Sequence, residues 1–283
     1  MKKITVFGAT GMLGEPVTEQ LIKDGYDVTV LVRNIEKAQK RFPKGVRFFE
    51  GDLQDIKAVS NAVKDADGIY ISLSNKNNSK KFNAEKHGLA NILQAAKEAQ
   101  VKQAVFLSSF LARNYQGDWW YYLDKQGGIE QVKKSGIPYT IFYASNFMEN
   151  FYHGMIMNHK VLIMKHPVQN KSYWIAVADY AVLVSRAFSK DIALDKEYAA
   201  QGPEALTMQE VAEEFARNYT KGKLSVSAAP FKVIKLLSYL IPPMRVMIKM
   251  AEVNIHNNET FESMKTWTEL GKPEITIAQF AKK

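Results

Sequence analysis

Tyr121 and Lys125 lie four residues apart in the run WWYYLDKQGG, residues 119–128. On a helix this spacing puts both side chains on one face, one turn apart, where an ammonium can stabilise a phenolate. A phenol placed in this way can protonate a carbonyl oxygen as a general acid. The same spacing occurs at Tyr219 and Lys223, so the spacing alone identifies no site and the neighbouring elements must decide.

Two serines favour the first pair. Ser108 and Ser109 end the apolar run QAVFLSS, which has the composition of a strand, and Tyr121 follows twelve residues after Ser109. A serine hydroxyl at that strand end can hydrogen-bond the reacting carbonyl oxygen and share its developing charge. Tyr121, Lys125 and a serine at this strand end could therefore act together on a carbonyl group. The plain alternative is that residues 119–122 form the wall of an apolar pocket.

A glycine-rich turn near the N-terminus predicts a second kind of chemistry. Gly8, Gly11 and Gly14 recur at three-residue intervals directly after the apolar run KITVF and at the start of a helical pattern. Glycines allow a tight turn and close approach of the backbone to a pyrophosphate, which the helix N-terminus attracts. The turn therefore predicts dinucleotide binding. The candidate cofactor contacts in it are Gly8, Thr10, Gly11, Met12, Leu13 and Gly14.

The end of the second predicted strand indicates which dinucleotide is bound. An acid at that position bonds the ribose 2′-hydroxyl of NAD, whereas a basic residue accommodates the 2′-phosphate of NADP. Here the run VTVLV ends at Arg33, and no acid appears before Glu36. We expect NADP(H) to be preferred over NAD(H). An exposed arginine without a ligand is the alternative.

The elements around these residues alternate between strand and helix through the first half of the chain. Such alternation predicts an α/β fold, a doubly wound parallel (Rossmann) sheet. The alternation stops after residue 145, so we expect a dinucleotide-binding domain at residues 1–145, to which 175–193 returns. Residues 146–174 and 194–283 are expected to form a smaller substrate-binding lobe, in which Thr207 and Glu210 make a helix capping box. The predicted strands are residues 3–7, 27–32, 46–50, 68–73, 103–109 and 139–144.

Composition limits the other possibilities. The 283 residues include no cysteine, which excludes disulfides, thiolate nucleophiles and sulfur-ligated zinc, and is compatible with a cytoplasmic location. The histidines have no paired carboxylates at metal-ligand spacing, so no metal is predicted. The net charge is +9, but its lysines are dispersed, and no nucleic-acid partner is expected. Residues 233–250 are apolar but interrupted by charges and prolines, so two short amphipathic helices are expected and no membrane partner.

The motifs together resemble the atypical short-chain dehydrogenase/reductase superfamily, and most closely its NmrA-like group of NAD(P)-binding proteins. The residues that carry the resemblance are GATGMLG at 8–14, LVRN at 31–34, EGDLQD at 50–55, AKEAQVKQAVFLSS at 96–109, KQGGIEQVKKSGIPYTIFYASNFMEN at 125–150 and GPEALTMQE at 202–210.

The resemblance implies that Tyr121 and Lys125 are catalytic residues together with Ser109, or with Ser108 if the strand register differs by one residue. It also implies further cofactor contacts and places Lys125 against the ribose. It puts Asp52 and Leu53 beside the adenine and residues 72–74 along the cofactor. It puts the segment from Tyr143 to Phe147 beside the nicotinamide and the substrate. The family commonly has an Arg-Pro pair where this chain has Tyr143 and Ala144, so this segment departs from the family's sequence pattern. The implied contacts are Asp52, Leu53, Ser72, Leu73, Ser74, Tyr143, Asn146 and Phe147.

Three functions are compatible with these residues. The first is an NADPH-dependent reductase of a small apolar or aromatic carbonyl or quinone-like substrate. The second is a non-catalytic NADP(H)-binding redox sensor that acts on a protein partner. The third is a sugar-nucleotide epimerase, which would use the same Tyr-Lys pair with tightly held NAD and which Arg33 disfavours.

Overall fold

The computed structural model describes residues 2–42, 45–75, 81–166 and 168–283. The strands are β1 (Lys3–Phe7), β2 (Asp27–Val32), β3 (Arg47–Glu50), β4 (Gly68–Ile71), β5 (Gln103–Ser109), β6 (Tyr139–Ala144), β7 (Ile156–Met157), β8 (Lys160–Lys165), β9 (Lys171–Ser172), β10 (Lys196–Ala200), β11 (Leu206–Thr207) and β12 (Ser225–Pro230). The α-helices are α1 (Gly14–Lys23), α2 (Ile35–Gln39), α3 (Ile56–Val63), α4 (Leu89–Glu98), α5 (Trp120–Lys134), α6 (Val177–Ser189), α7 (Met208–Asn218), α8 (Phe231–Ser238), α9 (Pro242–His256), α10 (Met264–Glu269) and α11 (Ile277–Ala281).

The central feature is a seven-stranded sheet in the order β10-β6-β5-β4-β1-β2-β3. Every neighbouring pair in it is parallel. Strand order reverses between β1 and β4, which is the topological switch point where open α/β sheets bind ligands. The predicted doubly wound α/β fold is confirmed, and the glycine turn directly follows β1.

Helices cover both faces of the sheet. On one face α3, α4 and α5 bury Val59, Leu93 and Ile129 against strand residues such as Phe106 and Ile141. On the other face α1 and α6 pack together. Because the strands are buried on both sides, β1, β2, β4 and β6 read as nearly continuous apolar runs rather than alternating ones.

The chain divides into two compact units. The first comprises Met1–Ala144, Val177–Ala200 and Lys265–Gly271, and the second comprises Ser145–Ala176, Gln201–Met264 and Lys272–Lys283. The sequence analysis placed everything after residue 193 in the smaller lobe, whereas β10 pairs with β6 in the central sheet. The run KEYAA was not recognised as a strand because it is short and begins with two charged residues.

The second unit has its own apolar core, and it contains the helix whose start was predicted from the sequence at Thr207. Phe151 and Phe215 stack with ring centroids 4.0 Å apart inside this core. The capping box of Thr207 and Glu210 is confirmed at the start of α7. Two amphipathic helices, α8 and α9, occupy the apolar stretch 231–256. No helix within the described part of the chain is long and apolar enough to cross a membrane.

Candidate functional site

The glycine turn has two glycines that the fold itself requires. Gly8 has a φ of +86°, and a Cβ there would lie 2.0 Å from the backbone oxygen of Ser72. A Cβ at Gly14 would lie 2.1 Å from the backbone oxygen of Gly8. The first glycine thus allows the turn after β1, and the third allows α1 to start against that turn.

Gly11 differs from these two glycines because it is exposed and has a single, looser backbone neighbour. A Cβ there would meet only the oxygen of Gly8, at 3.2 Å. The helix that follows begins beside it without a side-chain cap, because the N-cap residue is Leu13. No side chain caps its first turn, in which the Glu15 N–H donates to the Gly11 oxygen at 3.0 Å and Pro16 has no N–H. A small exposed backbone next to an uncapped helix N-terminus fits a pyrophosphate.

Two arginines lie at this edge of the sheet. Arg33 is exposed and makes no ion pair or hydrogen bond with any residue that the structure describes. Arg41 donates to the backbone oxygen of Thr10 at 2.8 Å and forms an ion pair with Glu15 in the first turn of α1. Arg33 is thus available to an anion, while Arg41 ties the glycine turn to α1. The sequence analysis missed Arg41, whose partners lie 26 and 31 residues earlier in the chain.

The other predicted cofactor segments follow neighbouring strands of the same sheet. Asp52 and Leu53 come after β3, and the Asp52 carboxylate accepts a hydrogen bond from the Gln54 backbone at 3.1 Å. Residues 72–74 follow β4, where Leu73 is partly buried against the core and Ser74 is exposed. Carboxyl ends of parallel strands share one edge of a sheet. The glycine turn, Arg33 and these two segments therefore occupy the ends of the adjacent strands β1 to β4.

Tyr121 and Lys125 both lie in α5. The Lys125 Nζ is 4.9 Å from the centroid of the Tyr121 ring, within range of a cation–π contact. The Trp119 ring stacks on the same phenol, with centroids 5.1 Å apart. The rejected pair is arranged differently, because Tyr219 ends α7 and Lys223 lies beyond that helix. Of the two pairs, only Tyr121 and Lys125 lie together on one helix.

A buried carboxylate that the sequence analysis missed holds Lys125. Glu85 accepts a hydrogen bond from the Lys125 Nζ at 2.6 Å, and the two side chains are only 6% and 11% exposed. Burial lowers the pKa of Lys125, but the charges of Tyr121 and Glu85 raise it more, and the net pKa lies above its ordinary value. Lys125 therefore carries its positive charge at neutral pH.

Amide and carboxylate side chains surround this ion pair. Asn75 donates to Glu85 at 3.1 Å and to the side-chain oxygen of Asn83 at 2.6 Å, while Asn83 donates to Asp124 at 2.6 Å. Glu85 and Asn83 are brought together by the π-helix Ala84–Gly88, which Asn83 caps. Single turns of π-helix occur frequently at functional sites. The sequence gives no local sign of this ion pair, because hydrophobic periodicity does not reveal that the glutamate of NAEKHG is buried.

The adjacent phenol has a different environment. Tyr122 is buried, and its ring packs against those of Tyr115 and Trp119. Burial raises the pKa of Tyr122, and the neighbouring phenols raise it further. Tyr121 is half-buried, and its hydroxyl has no hydrogen bond to the described residues. The two neighbours thus divide into one phenol beside an ammonium and one that is part of the packing.

The register of β5 distinguishes the two serines. Phe106 belongs to the core cluster that contains Ile129 of α5, and residues two apart on a strand share a face. Ser108 therefore lies on the α5 face of the sheet and Ser109 on the opposite face. The Ser108 residue is 4% exposed, and its Oγ has no hydrogen-bond partner among the described residues. An unsatisfied buried hydroxyl costs stability, so it indicates a missing partner.

The Tyr143 side chain, near the end of β6, is packed inside the first unit. Tyr143 is 1% exposed, belongs to the sheet core and donates a hydrogen bond to Glu197. Its predicted contact with a cofactor would therefore involve its backbone. Asn146 and Phe147 lie in the second unit, where the Asn146 backbone oxygen accepts a hydrogen bond from the Ile175 backbone N–H at 2.9 Å. Their role at the nicotinamide stays a prediction.

The arrangement in the first unit can bind a dinucleotide. The exposed Gly11 allows close approach of a pyrophosphate, while the positive end of the α1 dipole and Arg33, which pairs with no described residue, offer positive charge to phosphates. Lys125 adds a fixed charge on the α5 face. Within the described ranges, no group of three or more histidines, aspartates or glutamates could hold a metal ion.

Comparison with known proteins gives a consistent set of relatives. A sequence model of the NmrA-like family matches residues 1–274. The chain is 26% identical over 284 residues to quinone oxidoreductase 2 of Escherichia coli K12, covering 98% of this chain and 96% of that protein. It is 25% identical over 284 residues to the photosystem II assembly factor Ycf39 of Guillardia theta, covering 95% and 88%. The crystal structure of the Escherichia coli NADPH-dependent quinone oxidoreductase QOR2 complexed with NADPH shares the fold, with a TM-score of 0.79, 24% identity and coverage of 98% of each chain.

Proposed function

Because this chain belongs to the NmrA-like family, we propose that it is an NADPH-dependent reductase of a small apolar or aromatic carbonyl or quinone-like compound. The observation that carries the proposal is the buried ion pair of Lys125 and Glu85 beside the half-buried phenol of Tyr121. A protein that only binds a dinucleotide does not need a phenol next to a fixed ammonium. The likeness to a quinone oxidoreductase over nearly the whole chain supports the same reading.

NADP(H) is the proposed cofactor, with the pyrophosphate at Gly11 and the start of α1. Arg33 supports the preference for NADP(H), because an exposed guanidinium that pairs with no described residue can bind the 2′-phosphate. Asp52 and Leu53 would border the adenine. Residues 72–74, which come directly after β4, would also contact the cofactor. Lys125 would hold the ribose hydroxyls with the donors that Glu85 does not use.

A bound nicotinamide supplies the hydride for such a reduction. Tyr121 provides the proton, which goes to the carbonyl oxygen, and the charge of Lys125 stabilises the phenolate that remains. Ser108 is the proposed second donor to that oxygen, because its hydroxyl is buried on the α5 face and has no partner among the described residues. The substrate gains one hydride and one proton, so a ketone or aldehyde becomes an alcohol and a quinone becomes a hydroquinone.

The second unit is the proposed substrate-binding lobe. Residues 145–147 continue the chain directly from the carboxyl end of β6, the edge at which open α/β folds bind ligands. The apolar side chains of Met148 and Phe151, which come shortly after these residues, are buried in the unit's own core. Substrate contacts are therefore expected from residues that core packing leaves free, such as Asn146.

A non-catalytic NADP(H)-binding regulator is the second candidate. The likeness to an assembly factor supports it, since that relative is named for its role in building a protein complex and not for a reaction. Both candidates require dinucleotide binding, so turnover distinguishes them.

The test is a pair of measurements on the full chain. NADPH oxidation is followed with a panel of quinones, aldehydes and ketones, while NADPH affinity is measured by titration under the same buffer and salt. The reductase proposal expects at least one substrate whose turnover saturates with concentration. NADPH binding with no turnover across the panel would favour the regulator, and no binding of either dinucleotide would contradict both candidates.

A further inference from the structure

Helix α8 has apolar side chains on two faces, and only one of them packs against the protein. Phe231 and Ile234 are partly covered, and Ser238 is buried. The other face carries Val233, Leu236 and Leu237, which are 50%, 70% and 38% exposed and have the i, i+3, i+4 spacing that places side chains on one side of a helix. Leu240, in the turn after the helix, is 81% exposed, and these four residues are called the α8 stripe. The stripe is the outward half of a helix whose inward half is already packed.

The turn that follows α8 enlarges this apolar surface. Tyr239 is 66% exposed and Ile241 is 42% exposed, and Val246 in α9 is 43% exposed. Single exposed apolar residues are ordinary, but contiguous patches of them mark interaction surfaces. Seven large apolar side chains within fourteen residues, 233–246, form such a patch.

Polar contacts hold the α8–α9 hairpin in this shape. Arg245 of α9 donates to the backbone oxygens of Ser238 at 3.1 Å and Tyr239 at 2.9 Å, which satisfies the carbonyl end of α8. Lys235 of α8 pairs with Glu252 of α9 at 2.8 Å. The stripe is therefore presented on a braced pair of helices.

The charge of the surrounding chain has one sign. Between Glu214 and Glu252 there are seven lysines and arginines and no aspartate or glutamate. Two of these cations, Lys223 and Lys232, have no ion pair or hydrogen bond with the described residues. A surface that combines exposed aliphatic side chains with unopposed cations is complementary to something apolar and anionic.

We propose that this hairpin binds the chain peripherally to a lipid bilayer that carries anionic headgroups. The α8 stripe would enter the boundary between headgroups and acyl chains, with Tyr239 at the headgroup level and Lys232 against lipid phosphates. A bilayer suits this surface because aliphatic side chains partition into it without needing a matching pocket. The sequence analysis expected no membrane partner. The hairpin does not cross a membrane, and the proposal concerns its surface alone.

The proposal does not depend on the reductase activity. Quinone-like compounds are apolar and partition into bilayers, so the two proposals are compatible, but either can fail without the other. Lipid binding is measured without cofactor or substrate.

The experiment is flotation of the full chain with vesicles of phosphatidylglycerol and phosphatidylcholine in equal parts, and with vesicles of phosphatidylcholine alone. We expect binding to the anionic vesicles that weakens as salt is added. The double variant Leu236→Ser/Leu240→Ser should lower the partition constant at least about tenfold, because two exposed leucines no longer enter the lipid. The double variant Lys223→Glu/Lys232→Glu should lower it by a similar factor.

Matched controls separate this surface from the general positive charge of the chain. Ile56→Ser/Ile192→Ser removes two comparably exposed aliphatic side chains from the first unit, and Lys57→Glu/Lys64→Glu makes the same charge change there. Both controls should bind vesicles within about twofold of the parent chain.

Three outcomes would overturn the proposal. One is binding to anionic vesicles no stronger than to neutral vesicles. Another is unchanged binding by the leucine double variant, which would mean diffuse electrostatic attraction. The third is a dimer in light scattering that the leucine double variant dissociates, because a second copy would then cover the stripe.

Discussion

The ion pair of Glu85 and Lys125 leads to a quantitative prediction. We expect Glu85→Gln to lower the free energy of unfolding by about 3 kcal/mol, at the lower end of the range of about 3–5 kcal/mol for removing one partner of a buried pair. The substitution keeps the shape and the hydrogen bond from Asn75 but removes the charge that Lys125 faces. The lysine would remain buried without its closest counter-charge.

The magnitude follows from the burial and the contacts of the pair. The side chains are 6% and 11% exposed, so little water screens them. Two unit charges about 3 Å apart attract by roughly 5 kcal/mol at an effective dielectric constant of about 20. Asp124 still raises the pKa of Lys125 after the substitution and offsets part of the loss, which favours the lower end of the range. A change of about 3 kcal/mol corresponds to roughly 6–12 °C in Tm for a chain of this size.

The assay is a double-mutant cycle measured by denaturant unfolding, with Glu85→Gln, Lys125→Met and the double variant. The double variant should cost less than the two single variants added together, by about 2 kcal/mol or more. The control cycle uses Glu130→Gln and Lys134→Met, a 2.9 Å pair on the same helix whose side chains are 67% and 77% exposed. Its coupling should be about 0.5 kcal/mol or less. A Glu85–Lys125 coupling no larger than that of the exposed pair would refute the reasoning.

The pH dependence of the coupling provides a second check. The folded-state pKa of Lys125 is raised, so the pair contributes fully below the unfolded-state lysine pKa of about 10.4 and is lost only as the pH rises through the higher folded value. The coupling should therefore be the same at about pH 7 and about pH 9. A decline within that window would mean that Lys125 loses its proton earlier than the structure implies.

Three further predictions concern separate parts of the first unit. Arg33→Asp should weaken NADPH binding relative to NADH at least about tenfold, since a carboxylate would face the 2′-phosphate; equal affinities for both cofactors in the parent chain would contradict this. Tyr121→Phe should lower kcat about a hundredfold with NADPH affinity retained. Tyr122→Phe, which removes the packed phenol, should change kcat less than about twofold, and an unchanged rate in Tyr121→Phe would assign the proton to another donor. Burial raises the pKa of Asp24, but the hydrogen bond from Ser185 of α6 and the nearby cations lower it by more, so the net pKa is below its ordinary value. The Asp24 carboxylate thus stabilises the fold fully above the unfolded-state pKa of about 4 and loses its effect as the pH falls through the lower folded-state pKa. The difference in stability between the parent chain and Asp24→Asn should be largest at about pH 6 and shrink as the pH falls below about 4.

The features that the sequence determined by itself are local ones. The glycine spacing after an apolar run predicts the strand, the turn and the helix, because each depends on residues within a few positions of one another. The same is true of the capping box at Thr207 and Glu210, and of the six strands that alternate with helices. Parallel order then follows from that alternation, since strand-helix-strand connections favour it.

Tertiary structure decided which side chains meet. Glu85 lies 40 residues before Lys125, and only the packing of the π-helix segment against α5 makes them partners. The register of β5 puts Ser108 on the α5 face of the sheet and Ser109 on the opposite face, because a shift of one residue reverses the face of every side chain on a strand. Arg41 contacts the glycine turn, and β10 completes the sheet, through contacts that no local pattern records. Periodicity reports which side of an element is apolar, whereas the neighbours of a buried charge depend on how distant elements pack together, and that packing is settled by the whole chain.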